Sequence, residues 1–325
     1  MVKNRYFSGV ESDHFNGRFF NLFPRTEQSS IKDIIRWKRT SQPAKWPDSV
    51  SVTQAVPDKT SQEPCITLSG HASVLIQIQG LNILTDPIWS ERAGPFSWAG
   101  PRRVCRPGIA FGNIPKIDVI LLSHNHYDHL DITTLRKLVE RDNPRVITPY
   151  GNDRVIHKSI PSAHTITGDW WDSIKLQEDV EVTITPAQHW SARGIFDRRM
   201  ALWSGFFVRA GRWSIYFAGD TGYGDGRIFP LIRERLGAPD IALLPIGAYE
   251  PRWMMRDSHM DPAEALTACE ALEARQALAL HWGVFNLSDE GRDEPAELLR
   301  RVVAQRGVDA QRFIAPEPGY VCRME

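Results

Sequence analysis

The run His124-Asn125-His126-Tyr127-Asp128-His129 constrains this chain more than any other segment. It follows an apolar, strand-like stretch from Ile117 to Ser123. Four such side chains on one turn cannot all reach a single ion in good geometry. They can divide between two adjacent ions, His124 and His126 to one, Asp128 and His129 to the other. Neutral imidazole and carboxylate are the ligands that borderline divalent metals such as Zn²⁺ prefer. The competing reading is a polar turn that is rich in histidine by chance.

A chain of 325 residues can bury a large core, and 42% apolar with 24% charged residues is ordinary for a globular protein. The formal net charge is zero, which argues against an enzyme that holds nucleic acid by a broad basic field. Cys65, Cys105, Cys269 and Cys322 are widely spaced and form no C-x-x-C pair. They read as reduced thiols of a cytoplasmic protein rather than a disulfide framework or a zinc ribbon. The start, Met1-Val2-Lys3-Asn4-Arg5, shows no apolar signal region, and no apolar run is long enough to span a bilayer.

Residues 1–60 read as an irregular N-terminal extension packed on the main domain, with prolines at 24, 43, 47 and 57. One short helix is predicted near Ile31–Arg39, with Ile31, Ile34 and Ile35 on one face. Lys32, Arg36 and Arg39 on its other face are placed either in solvent or against anionic headgroups. From about residue 64 the pattern becomes regular. Period-two alternation predicts a hairpin over 74–85 turning at Gly80, and a second pairs 201–208 with 213–218 around Gly211. Strands are predicted at 119–122, 145–148, 181–185, 241–245, 277–280 and 313–315, and helices at 132–140 and 295–305. A further helix opens at Asp261-Pro262-Ala263-Glu264, a capping box with proline at the first helical position. Hairpins followed by strand–helix alternation, twice over, predict two β-sheets packed together with helices outside.

Further ligands are sought at strand ends, where the backbone holds side chains rigidly. His189 follows the strand 181–185, Asp220 ends the strand 213–218, and His281 ends 277–280. With these, two metals would each hold three or four protein ligands if Asp220 bridges, leaving room for a shared water.

In this order, His124-x-His126-x-Asp128-His129, His189, Asp220 and His281, the ligands resemble those of the metallo-β-lactamase superfamily over roughly residues 65–322. Local segments are similar to its N-acyl-phosphatidylethanolamine-hydrolysing phospholipase D branch, including bacterial relatives. They are Gly70–Leu75, Leu84–Trp89, Phe96–Arg103, Gln188–Trp190, Phe217–Tyr223, Leu244–Trp253 and His259–Pro262, with Phe19–Pro24 early in the chain. The resemblance implies an α/β fold, a four-layer αββα sandwich spanning 61–325, with two Zn²⁺ at one edge. It implies His124, His126 and His189 on the first ion, Asp128, His129 and His281 on the second, and Asp220 between them. His259 matches a histidine near the phosphate and is a candidate for substrate contact or leaving-group protonation. Asp86 and His71 are expected to support the ligands from behind. Arg102 and Arg103 are either phosphate contacts in a cleft or part of a solvated loop.

The expected function is a phosphodiesterase of phospholipase D type acting on N-acylphosphatidylethanolamine-like lipids through a metal-bridging hydroxide. Asp128 would orient that hydroxide. Alternatives are a hydrolase of a small soluble phosphodiester, lactone or amide, and a non-catalytic membrane-associated protein. The expected partners are a phospholipid or other phosphodiester, with peripheral membrane contact and a homodimer as further options, and no nucleic acid.

Overall fold

The computed structural model describes residues 4–7, 11–23 and 31–324. The first sheet has the order β14-β1-β2-β3-β4-β5-β6. Its strands are β1 (Cys65–Gly70), β2 (Ser73–Ile78), β3 (Leu81–Thr85), β4 (Val119–Leu121), β5 (Arg145–Pro149), β6 (His164–Gly168) and β14 (Val321–Arg323). The second sheet has the order β13-β12-β11-β10-β9-β8-β7. It is built from β7 (Ser173–Gln177), β8 (Val180–Thr185), β9 (Gly205–Ala210), β10 (Trp213–Phe217), β11 (Ile241–Pro245), β12 (Gln276–Leu280) and β13 (Phe313–Ile314). Each sheet is an antiparallel hairpin unit continued by parallel strands.

Successive side chains of a strand face opposite ways, and both faces are buried here, which is why the strands read as unbroken apolar runs. Ile83 and Leu121 meet Val182, Phe206, Ile215 and Phe217 between the sheets. Their neighbours Leu84 and Ile120 face outward, against helices α2 (Ile132–Asp142) and α3 (Asn152–Ser159). On the far side, Phe207, Tyr216, Ala242 and Leu244 meet α4 (Ile228–Leu236), α6 (Pro262–Ala271) and α7 (Glu294–Gln305). The result is the four-layer αββα sandwich expected from the sequence.

Asp261 caps α6 with the reciprocal Glu264 contact, as predicted. The predicted strand 201–208 begins only at Gly205. Residues 201–204 are a buried loop, in which Leu202 N donates to Tyr150 O and Ser204 N to Ser123 O. Several elements carried too little pattern to predict. Strand β7 lies at a sheet edge with an exposed face, and α4 has Pro230 in its first turn, where a missing N–H does no harm. Helix α1 (Ile31–Thr40) docks through Trp37 Nε1, which donates to Asp289, and through Arg36, whose guanidinium lies 4.7 Å from the Trp253 ring. Lys32, Arg36 and Arg39 are exposed; the side chains of Ile31, Ile34 and Ile35 fall outside the described residues.

Strands β1, β3 and β4 run parallel to one another, and so do β8, β10, β11 and β12. Their C-terminal ends therefore open on shared sheet edges, and the segments that follow carry every predicted ligand.

Phe217 is fully buried and stacks parallel to Phe206, with ring centroids 6.5 Å apart. Phe217→Ala should lower unfolding free energy by about 3–5 kcal/mol. Urea titration reads this as an earlier midpoint with unchanged slope; a loss under about 1 kcal/mol would place Phe217 outside the inter-sheet core.

Candidate metal centre

Seven of the ten histidines converge at this edge. The structure brings together His71, Asp128, His129 and His281, next to His124, His126 and His189, with Asp220 reaching between them and His259 beside His189 and Asp220. The backbone is bent to achieve this. His71, Asp86 and His281 have φ of 58°, 31° and 61°, in the left-handed region that residues with a Cβ seldom occupy. Such conformations cost roughly 1–3 kcal/mol each and persist where the surroundings over-determine them. Gly219, at φ 61°, precedes Asp220; a Cβ there would lie 2.7 Å from Ser204 O and 2.9 Å from Ser123 Cβ.

The hydrogen bonds behind the histidines settle which ring nitrogen faces inward. Ser123 Oγ donates its one proton to Asp86 Oδ2 at 2.6 Å, so His124 Nδ1, 2.9 Å from that Oγ, must be the donor. His189 Nδ1 lies 3.0 Å from the Ser258 carbonyl, which can only accept. Both Nε2 atoms are thus unprotonated in the neutral rings. They point at the same atom, His126 Nδ1, at 2.9 and 3.2 Å. One proton cannot satisfy three converging nitrogens, whereas one cation can. Burial, reinforced by neighbouring imidazoles, pushes the pKa of His124 and His189 well below the ordinary histidine value. Burial likewise takes His126 down to about 4, so all three rings are neutral donors near pH 7.

The other half is electrostatically opposite. Asp128 Oδ2 lies 2.9 Å from His71 Nε2, 3.3 Å from His281 Nε2 and 3.4 Å from His129 Nε2. Asp220 Oδ1 lies 3.2 Å from His281 Nε2; its Oδ2 lies 3.1 Å from His129 Nε2 and 3.7 Å from His189 Nε2. Burial alone would lower the pKa of His129 and His281. The carboxylates of Asp220 and Asp128 outweigh it, holding His129 well above its ordinary value and His281 at about 9. This half demands positive charge. Asp86, fully buried, accepts from Ser123 N at 2.7 Å and from His129 Nδ1 at 2.7 Å, which turns His129 Nε2 inward. The residues present therefore fit a pair of divalent cations by donor type, by inward-facing lone pairs and by charge.

His259 lies at the rim, its Nδ1 4.0 Å from Asp220 Oδ2 and without a hydrogen bond, its ring 5.1 Å from that of His189. Burial pushes its pKa down to about 4. Arg252 holds the segment, donating to the His259 carbonyl at 3.0 Å while paired with Glu264 at 2.6 Å. Arg103 is turned inward instead: its guanidinium donates to the carbonyls of Ser90, Ile88 and Cys105. Arg102 is exposed, 3.5 Å from Glu91.

Sequence reasoning missed three supports. Ser123 is described above; the Ser258 carbonyl has no sequence signal, being backbone. The third is Arg193, whose Nη1 donates to Leu130 O at 2.7 Å and Asn125 O at 3.3 Å, bracketing the ligand loop. Its guanidinium lies 3.9 Å from the Tyr127 ring centre, and Tyr127 Oη donates back to Arg193 O at 2.7 Å. Its signal was position, four residues after His189. The N-terminal segment also reaches the centre, where Asn21 Oδ1 accepts from His189 N at 3.2 Å and Trp203 Nε1 at 3.0 Å.

A family model described as a beta-lactamase superfamily domain matches residues 81–282. The chain belongs to the metallo-β-lactamase superfamily. It is a metallohydrolase of that fold. It is 36% identical over 266 residues to N-acyl-phosphatidylethanolamine-hydrolyzing phospholipase D 1 of Caenorhabditis elegans, covering 78% of this chain and 74% of the relative. It is 37% identical over 321 residues to the mitochondrial N-acyl-phosphatidylethanolamine-hydrolyzing phospholipase D of Saccharomyces cerevisiae, covering 96% and 68%. Among solved structures, a metallo hydrolase from Ignicoccus hospitalis superposes with a TM-score of 0.59 at 22% identity, covering 81% of this chain and 98% of the other.

Asp86→Asn tests the inward orientation of His129. An amide NH₂ opposite Nδ1–H would favour the other tautomer and put a proton on the nitrogen facing the centre. Metal affinity should fall about 10–100-fold, read by chelator competition, with circular dichroism unchanged. Unaltered affinity would mean that His129 binds no metal.

Proposed function

We propose that this chain is a dinuclear zinc phosphodiesterase of phospholipase D type, cleaving N-acylphosphatidylethanolamine-like lipids. The observation that carries the reading is the pair of facing half-sites spanned by one buried carboxylate, Asp220, in a chain similar along most of its length to two proteins bearing that activity in their names. In this reading His124, His126 and His189 hold one ion, and Asp128, His129 and His281 the other. Asp220 serves both, and imidazole-rich sites of this kind suit zinc.

Two bound divalent ions would lower the pKa of a water and draw charge from a phosphoryl oxygen. The chain supplies the rest. Asp128, already accepting from His71, keeps an anionic oxygen at the centre to orient the attacking water. His259 stands at the rim with no hydrogen bond to its Nδ1, where a leaving alkoxide needs a proton. Its lowered pKa would rise beside an anionic phosphodiester, since opposite charge favours the imidazolium. Attack at phosphorus forms the new P–O bond and breaks the bond to the N-acylethanolamine oxygen, which leaves with a proton.

Elemental analysis of fully active protein should show two zinc ions per chain, and one or none would reject the dinuclear site. Asp220→Asn should empty both positions together, because an amide offers only one good donor; retention of two tightly held ions would remove Asp220 as the bridge. Hydrolysis in ¹⁸O-water should label the phosphatidate and leave the released alcohol unlabelled. Activity confined to a lactone, with neither bis-p-nitrophenyl phosphate nor N-acyl phospholipid cleaved, would overturn the phosphodiesterase reading.

His259→Ala should keep both metals and slow lipid turnover by about 10²-fold or more. The loss should be smaller on a p-nitrophenyl ester, whose leaving group needs no proton. Equal losses on both substrates would assign His259 to binding instead.

A further inference from the structure

Two loops beside the ligand turn carry large apolar side chains pointing into solvent. On one, Phe96 and Trp98 are 58% and 75% exposed and stack on each other, ring centroids 5.2 Å apart and planes 9° from parallel. On the other, Ile195 and Phe196 are 87% and 77% exposed. Both loops wall one open cavity of about 340 Å³, through Pro95 and Phe96 on one side and Arg193 on the other, with Tyr127 and Leu130 of the ligand loop also lining it.

The tips protrude from fixed bases. The first loop is pinched at its neck, where Ala93 N donates to Pro101 O at 3.0 Å and Arg92 Nη1 to Gly100 O at 2.8 Å; a Cβ on Gly94 or Gly100 would collide with the backbone across the neck. The second closes on Asp197, buried, which accepts from Arg193 N at 3.1 Å, Gly194 N at 2.8 Å and Tyr6 Oη at 2.8 Å. Exposed apolar tips on ordered bases lose little conformational freedom on docking.

Charge selects the partner. Segments 90–106 and 190–199 hold seven arginines against two carboxylates, Glu91 and Asp197, in a chain whose formal net charge is zero; Arg102 and Arg106 are exposed, while Arg103 and Arg193 are turned inward onto backbone carbonyls. Asp197 is buried, and Glu91 lies 3.5 Å from Arg102. Exposed Phe, Trp and Ile side chains with exposed arginines nearby suit the boundary between anionic headgroups and acyl chains, where tryptophan also favours the interface.

We propose that the Phe96–Trp98 and Ile195–Phe196 tips dock this protein on an anionic lipid surface, bringing the cavity beside the ligand turn, lined by Tyr127 and Leu130, to the headgroups. The proposal rests on the phospholipid reading for its purpose.

The test is cosedimentation of the zinc-loaded full chain with vesicles of phosphatidylcholine, with and without phosphatidylglycerol. Binding is expected to the anionic vesicles and to weaken with salt. Two paired variants, Phe96→Ser with Trp98→Ser and Ile195→Ser with Phe196→Ser, should each lower partitioning about tenfold or more while metal content and thermal unfolding stay unchanged. Because the tips lie outside the core, at least one pair should fold. Failure of the wild type to bind anionic vesicles, or wild-type binding by a folded variant, overturns the docking surface. Vesicle binding without phospholipid cleavage, on vesicles or in detergent micelles, overturns the phospholipase reading and leaves the docking surface standing. Cleavage in micelles without vesicle binding does the reverse.

Discussion

The structure depends on imidazole nitrogens and ionised carboxylates facing one another out of contact with bulk water. Such a cluster repels itself unless positive charge lies at its centre. His124 and His189 cannot turn away, because each has its outer nitrogen committed to a hydrogen bond, to Ser123 Oγ and the Ser258 carbonyl. His129 is fixed by Asp86 in the same manner. The fold therefore holds a preformed demand for cations. The demand is unequal: one half offers neutral imidazoles, the other two carboxylates strong enough to keep His129 and His281 charged despite burial.

Two stacked sheets supply the rigidity this requires. The ligands stand just beyond parallel strand ends, and the inter-sheet core of Ile83, Leu121, Phe206 and Phe217 fixes one sheet against the other. Close approach is written into small residues. Gly219 lets Asp220 pass near Ser123, and Gly247 lies where a Cβ would collide with the His281 carbonyl. The left-handed backbones of His71, Asp86 and His281 are the local strain that this arrangement carries, and all three sit on the half of the centre with the carboxylates.

What the sequence made legible follows from what is local. His124 to His129 announce themselves because chemistry and spacing coincide within one turn. His189, Asp220 and His281 were visible because each ends an apolar strand, and a short apolar run is a strong signal when both of its ends are marked. Asp86 was legible as a supporting residue, and it does touch His129. Ser123 and Arg193 were not, since a serine after a strand and an arginine in a loop are common, and only the fold brings them to the ligand turn. The same holds for β6, β7 and α3, short elements with few buried side chains whose place is set by neighbours. The 201–208 misreading has this cause too: Ala201 to Ser204 are buried and apolar enough to resemble a strand, yet their hydrogen bonds go to Tyr150 and Ser123 across the sheet interface.

The supports of the ligand turn tie it to the surface. Arg193 brackets the turn through the carbonyls of Asn125 and Leu130, and its own backbone N–H is held by Asp197, which also accepts from Tyr6. A displacement of the 193–197 loop must therefore move the carbonyls that flank His126, Asp128 and His129, or break a guanidinium contact buried beside Tyr127. The ligand turn and the exposed tip at Ile195 and Phe196 are thus joined through Arg193 and Asp197. The centre is built so that whatever meets that tip meets a surface whose position relative to the ligands is fixed.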